Sequence, residues 1–235
     1  MITSVKNQTV KDIIELKTSR GRRTQKMFMV EGPHLVREAR DAGVLLKAYT
    51  TDDSLDGEEV SFEVMKKICD TATPTTQIGL CSLLNKTEIT DRVLILDGLQ
   101  DPGNVGTLLR SAASFGFNTI FFSDNTCDFY NDKVIRSSQG SIFKLNLIKG
   151  DKLEFIKKLS STHTIYNTNV RNGVDVRSAN LSGKVALILG NEGNGVSDEI
   201  NELNLPSLFI QMDNMESLNV GVAGSILMYE ISNRI

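Results

Sequence analysis

The sequence predicts an α/β protein whose larger, C-terminal part is built on a parallel sheet. Three observations lead there. Short apolar runs alternate with amphipathic stretches from Arg92 to the C-terminus, the order expected when helices cover a parallel sheet. Two of those runs, Val93–Leu96 and Val185–Leu189, are apolar at every position, as in strands buried on both faces. The polar, proline-containing stretch TATPTTQ, Thr71 to Gln77, has linker composition and separates off a smaller unit.

The first part reads as a helix (Thr9–Thr18), a basic glycine-containing turn (Ser19–Arg23), a strand (Met27–Val30) and a helix (Pro33–Ala42). Pro33 suits a first helical turn and Gly43 a stop. The strand VLLKAYTT and the helix SFEVMKKICD follow. The domains are therefore drawn at 1–75, with a linker over 76–89 and a second domain over 90–235. That second domain reads RVLILDGL (strand), NVGTLLRSAASFGF (helix), NTIFFSD (strand), NDKVIRSSQGSIF (helix) and KLNLIK (strand). KLEFIKKLSS (helix), HTIYNTN and GKVALILG (strands), VSDEINEL (short helix), SLFIQM (strand) and a final helix from Val220 complete it.

With 235 residues, 40% hydrophobic and 23% charged, the chain has the composition of a soluble globular protein. No apolar run is long enough to span a membrane, and MITSVKNQTV has no signal-peptide core, so a cytoplasmic location is expected. Three widely spaced cysteines and two histidines assemble no zinc set, and no metal is expected. The net charge of −3 conceals an asymmetry: Met1–Lys26 carries seven basic side chains against Asp12 and Glu15. Arg20, Arg22, Arg23 and Lys26 sit at its centre and are candidate contacts to a nucleic-acid backbone.

Ligands of open parallel sheets bind beyond the carboxyl ends of the strands, and three such ends carry unusual loops. In LDGLQDPGNVGTLLRSA, Asp101-Pro102-Gly103 makes a turn and Asn104 stands where an N-cap is expected. Arg110 follows six residues later, off the face of Asn104 at ~100° per residue. Its neighbours Leu108, Leu109, Ala112 and Ala113 predict partial burial and hence an anionic partner. In LILGNEGNGVS, a buried strand runs into three glycines spaced G-x-x-G-x-G around Glu192, which lets backbone approach a ligand closely. That order is not the G-x-G-x-x-G of dinucleotide folds, which argues against a Rossmann oxidoreductase. In SLFIQMDNMESLN, Ser217 and Asn219 are both good helix caps.

Asn104-x5-Arg110, Leu189-Gly190-Asn191-Glu192-Gly193-x-Gly195 and Ser217-Leu218-Asn219-Val220-x-Val222-Ala223, in that order, resemble the SpoU family of ribose 2′-O-methyltransferases within the SPOUT superfamily. The first part resembles the ribosomal-protein-like substrate-binding domain often fused ahead of it. The resemblance implies a deep trefoil knot, a homodimer built across it, S-adenosylmethionine as cofactor and RNA as substrate. By carry-over, Leu189, Gly190, Ile210, Met212, Leu218 and Asn219 line the cofactor pocket. Arg110, Asn104, Glu192, Ser217 and Asn219 form the catalytic set, with Glu192 offered as a partner for Arg110. Arg136, in VIRSSQGS, matches a position near the RNA. Two departures stand out: Gln211 replaces the family's usual proline, and the turn from Met212 to Ser217 is about one residue short.

A ribose hydroxyl ionises far above neutral pH, so its proton must be drawn off by a base or by strong local charge. Either neighbouring positive charge loosens the Arg110 proton, or Arg110 stays charged, grips phosphate and stabilises a developing alkoxide. The second needs the smaller perturbation. The ribosomal-protein-like first domain tilts the expected substrate to 23S ribosomal RNA. Methylation of transfer RNA, or a non-catalytic RNA-binding or ribosome-assembly factor on the same fold, are the alternatives.

Overall fold

Capping chemistry sets the element boundaries of the first unit. The computed structural model describes residues 1–234 except 72, 86, 170 and 171. Asn7 accepts from Thr9 N and starts α1 (Gln8–Glu15), which buries Val10 and Ile13. SRGRR, expected as a turn, is helical: α2 (Ser19–Gln25) is capped by Thr18 and stopped by Lys26 at φ 54°. Its glycine serves packing rather than turning, because a Cβ on Gly21 would collide with the Glu15 carbonyl. β1 (Met27–Glu31), α3 (Pro33–Asp41), β2 (Leu45–Thr50), the two-residue β3 (Glu58–Glu59) and α4 (Phe62–Ile68) follow.

The range 76–89, drawn as a linker, holds a further strand, β4 (Gln77–Ser82). It is an inner strand of a sheet ordered β1-β4-β2-β3, antiparallel to both β1 and β2. Gln77 to Cys81 are buried, with Ile78 in the core beside Met29, Tyr49, Met65 and Ile68. One position of that range, 86, lies outside the described residues. Burial pushes the Cys81 thiol up to about 12, which makes it an inert packing residue.

Beyond β4 the chain builds a second sheet, starting with β5 (Arg92–Asp97), α5 (Pro102–Ser114) and β6 (Thr119–Ser123). The next segment, Asp128–Phe143, groups instead with Met1–Leu84. It carries α6 (Asp132–Ser138) and all but the last residue of a 3-10 turn (Ser141–Lys144), with Gln139 at φ 51° ending the helix that was expected to be continuous. Tyr130 packs on Phe28 with ring centroids 4.7 Å apart, and its hydroxyl accepts the Leu84 N–H at 2.7 Å. Such pairings are distant in sequence and leave no local periodicity, so the second-domain range 90–235 did not anticipate them.

The second unit continues through β7 (Asn146–Gly150), α7 (Lys152–Leu159), β8 (Thr164–Thr168), β9 (Val174–Asp175), β10 (Val185–Gly190), α8 (Asp198–Asn201), β11 (Ser207–Phe209) and α9 (Val220–Ser232). Its seven strands are ordered β7-β6-β5-β10-β8-β11-β9 and every pairing is parallel. β10 is buried along its whole length, as its uninterrupted apolar run requires. Ala186 and Ile188 pack with Phe155, Leu159 and Ile200, while Leu189 meets Gly224 of α9, where a Cβ would stand 2.5 Å from its Cδ1. Gly224 thus lets α9 lie close to the sheet, beside α5, to which Ser225 Oγ is joined through Ser111 Oγ at 2.7 Å.

Candidate active site

β5 and β10 run side by side with Gly190 level with Asp97, so their carboxyl-end loops leave the sheet together. Asp101, not Asn104, caps α5: its Oδ1 accepts the Asn104 N–H at 2.9 Å, and Pro102 takes the first turn. Asn104 is therefore inside the helix, and its side chain is released for other contacts. In the glycine loop, Asn191 and Gly195 exchange main-chain hydrogen bonds at 2.8 and 2.9 Å, and Asn191 Nδ2 donates to Gly98 O at 2.8 Å. Gly190 is required there, because a Cβ would fall inside the backbone of Gly195 and Val196.

This closed loop presents Glu192. Its carboxylate accepts Gln100 N at 3.2 Å, Asp101 N at 3.1 Å and Asn104 Nδ2 at 3.2 Å. Burial alone would push the carboxyl up, but its own N–H, those of Asp101 and Gln100 and the Asn104 amide outweigh it and hold the pKa below the usual range. Asn219 caps α9, accepting Gly221 N at 2.9 Å and Val222 N at 3.3 Å, while its Nδ2 donates to Asn104 Oδ1 at 2.9 Å. The sequence Asn219–Asn104–Glu192 is thus one hydrogen-bonded chain through three loops. Ser217, offered as a second cap, is exposed and makes no capping bond.

Arg110 differs from its expectation. It is exposed, on a stripe with Thr107 and Ser114, and makes no ion pair among the described residues. The helix explains this: Leu108, Leu109 and Ala112 point inward and Arg110 outward, while Glu192 is already saturated by N–H donors. An exposed guanidinium with no ion pair among the described residues can meet a phosphate.

The residues carried over for the cofactor fit a molecule with an apolar body and polar edges. Leu189 is buried, Ile210 and Met212 are half-buried, and Leu218 is 37% exposed. The main-chain N–H groups of Ile210, Met212 and Leu218 have no hydrogen-bond partner among the described residues, which leaves them free to read a purine edge.

The sequence reading missed Asp97 and Lys152. Asp97, 2% exposed at the end of β5, accepts Ser197 N at 2.8 Å and Lys152 Nζ at 3.2 Å. Lys152 also donates to Ser197 Oγ at 2.7 Å and pairs with Glu199. Burial would lower its pKa, but Glu199 and Asp97 outweigh that and raise it. The pair ties the far foot of the glycine loop to β5. The available signal was an acidic residue closing an all-apolar strand, VLILD.

In the first unit, Arg20, Arg23 and Lys26 are exposed on and just after α2. Arg22 must be removed from the candidate RNA contacts. It is 7% exposed, donates to Leu16 O and Lys17 O at 2.9 and 3.1 Å, and pairs with Asp128 at 2.6 Å. Arginines at 20, 22 and 23 point in different directions around a helix, so they cannot all face water when one side packs on α1. Arg136 is half-buried and pairs with Asp132 at 2.7 Å. Among the described residues no cluster of His, Cys, Asp or Glu is suited to a metal, and no helix is long and apolar enough to cross a membrane.

Comparison with known proteins gives two family matches: the SpoU rRNA Methylase family over residues 91–229 and the MRM3-like substrate binding domain over residues 7–79. The chain is 32% identical to the 23S rRNA (guanosine(2553)-2′-O)-methyltransferase RlmP of Bacillus subtilis (strain 168), over 98% of each chain. It is 29% identical to an uncharacterized tRNA/rRNA methyltransferase of Synechocystis, over 97% of this chain and 92% of that one. Its structure is similar to an AdoMet-bound rRNA methyltransferase from Sinorhizobium meliloti, with TM-score 0.87 and 26% identity, over 100% of this chain and 97% of that one.

Proposed function

This chain belongs to the SpoU rRNA methylase family, and on that premise we propose that it transfers a methyl group from S-adenosylmethionine to a ribose 2′-hydroxyl of ribosomal RNA, in the 23S molecule. The observation that carries the reading is the Asn219–Asn104–Glu192 chain, which gathers all three loops at the carboxyl ends of the sheet. S-adenosylmethionine, when bound, supplies an electrophilic methyl on a sulfonium centre. Leu189, Gly190, Ile210, Met212, Leu218 and Asn219 hold it, through apolar walls and main-chain groups.

The protein's own task is at the ribose hydroxyl. Arg110 keeps its charge, neutralises the adjacent phosphate and stabilises negative charge on the ribose oxygen as its proton leaves. Glu192, Asn104 and Asn219 keep the loops in register, so that positioning supplies much of the rate. Ser217, which is exposed, completes the catalytic set by hydrogen bonding to the RNA. Arg20, Arg23 and Lys26 hold phosphates while RNA shape supplies specificity, and Arg136 adds a weaker contact.

The same reading includes a C-terminal segment threaded through a loop to form a knot, a homodimer across that region and a cytoplasmic location. The insertion of β10 between β5 and β8, the return of α9 onto α5, and exposed Val222 and Tyr229 on α9 support the first two. Incubation with labelled S-adenosylmethionine and separate ribosomal and transfer RNA tests the function. Label in 23S ribosomal RNA at a ribose resistant to alkaline cleavage is expected. Label confined to transfer RNA would redirect the substrate, and none in either would favour a non-catalytic RNA-binding role.

A further inference from the structure

The outer edge of the parallel sheet holds an arginine that the catalytic reading does not use. Asp175 ends β9, level with Phe209, the last residue of β11. Its Oδ1 accepts the Arg177 main-chain N–H at 2.8 Å and Nε at 3.0 Å, and its Oδ2 accepts Nη2 at 2.7 Å. A guanidinium held at two points by one carboxylate has a fixed plane. Nη2 then donates to Gln211 Oε1 at 2.8 Å. Arg177 lies two residues beyond Asp175, as Gln211 lies two beyond Phe209, so the contact joins equivalent points on adjacent strand ends.

Gln211 stands between Ile210 and Met212, where the chain has left β11 and regular structure does not resume until α9. Ordering each free residue on ligand binding costs on the order of 1 kcal/mol, so a loop held in place beforehand binds more tightly.

We propose that Arg177, held by Asp175, is a positioning residue that fixes Gln211 and so presents the main chain of Ile210 and Met212 to the methyl donor. The proposal rests on the assignment of those two residues to the S-adenosylmethionine pocket. The Asp175 carboxyl is held at about 2 by the Arg177 side chain and main-chain N–H, so the pair stays charged throughout the neutral range.

Calorimetric titration of the full-length protein with S-adenosylmethionine tests it. Arg177→Ala and Gln211→Ala should each weaken binding about fivefold, the scale of one partly exposed hydrogen bond to a charged group. The double variant should bind no worse than either single one, because both act through one contact. Gln211→Pro should restore affinity in the Arg177→Ala background: proline fixes φ, and the Gln211 N–H has no partner among the described residues to lose. In methylation assays KM for the donor should rise while kcat at saturation stays within about twofold. Wild-type-like affinity in both single variants, multiplicative losses in the double variant, or no rescue by proline would overturn the proposal while leaving the parent function intact. Absence of binding by the wild-type protein would overturn the parent function, and this proposal with it.

Discussion

Asn219 and Asn104 are 115 residues apart in sequence, and the side-chain amide of the first donates to the carbonyl oxygen of the second at 2.9 Å. That bond makes the cap of α9 a structural extension of α5. Through Asn104 Nδ2 it reaches Glu192 in the glycine loop.

Asn104→Ala should therefore disconnect all three loops at once. Misplacement of a site by about 1 Å costs on the order of 10²-fold, and a fall in kcat/KM of that size is expected. Asn219→Ala should add the loss of a helix cap, about 1 kcal/mol, visible as a lower thermal midpoint. Full activity in Asn104→Ala would show that the junction does not position the site.

Arg110 lies on the exposed stripe of α5 and is not among the residues assigned to the methyl donor. Arg110→Ala should reduce methylation by about 10²–10³-fold, the usual loss when one charge-stabilising donor is removed. Affinity for S-adenosylmethionine should be unchanged by calorimetry. Loss of both together would mean that Arg110 belongs to the cofactor site.

The bases of α2 should separate into two classes. Replacing Arg20, Arg23 and Lys26 together with alanine should weaken RNA binding and lower the salt slope by about 2–3, at roughly 0.7–0.9 per phosphate contact. Arg22→Ala should act on stability instead, by about 3 kcal/mol, since it leaves a partly buried Asp128 without its cation. Filter binding across a salt series and denaturant unfolding distinguish the two.

Asp128 also predicts an acid limb. Burial alone would raise its pKa, but the Tyr130 N–H and the Arg22 guanidinium outweigh this and lower it. A carboxyl with a depressed folded pKa contributes stability that is complete above its unfolded value, about 4. That contribution is lost as pH falls through the lower folded value. Asp128→Asn should be less stable near pH 7 and show a shallower loss of stability as pH falls below about 4. Parallel pH-stability curves for the two proteins would refute this.

Much of this was legible in the chain itself. Uninterrupted apolar runs such as Val185–Leu189 can only be strands buried on both faces, and alternation with amphipathic segments fixes a parallel sheet. The three loop motifs, in order, identified the family. Local reading failed where a residue's role depends on a distant partner. SRGRR carried turn composition, yet Gly21 has no Cβ because α2 must pack on the Glu15 carbonyl. Arg22 looked like its exposed neighbours until Asp128, 106 residues away, closed over it. Gln77–Ser82 had a linker's polar preface and became an inner strand because β1 and β2 both needed a partner.

The sequence by itself determined which residue types stand at each strand end, because periodicity and glycine placement act over a few residues. Only the tertiary structure decided what each one does there. Asp101 rather than Asn104 became the cap, Glu192 took main-chain donors and the Asn104 amide rather than Arg110, and Arg177 found Gln211. The physical reason is that hydrogen bonds and ion pairs act only within a few ångströms. Which groups come that close is set by strand order and helix packing, not by spacing along the chain.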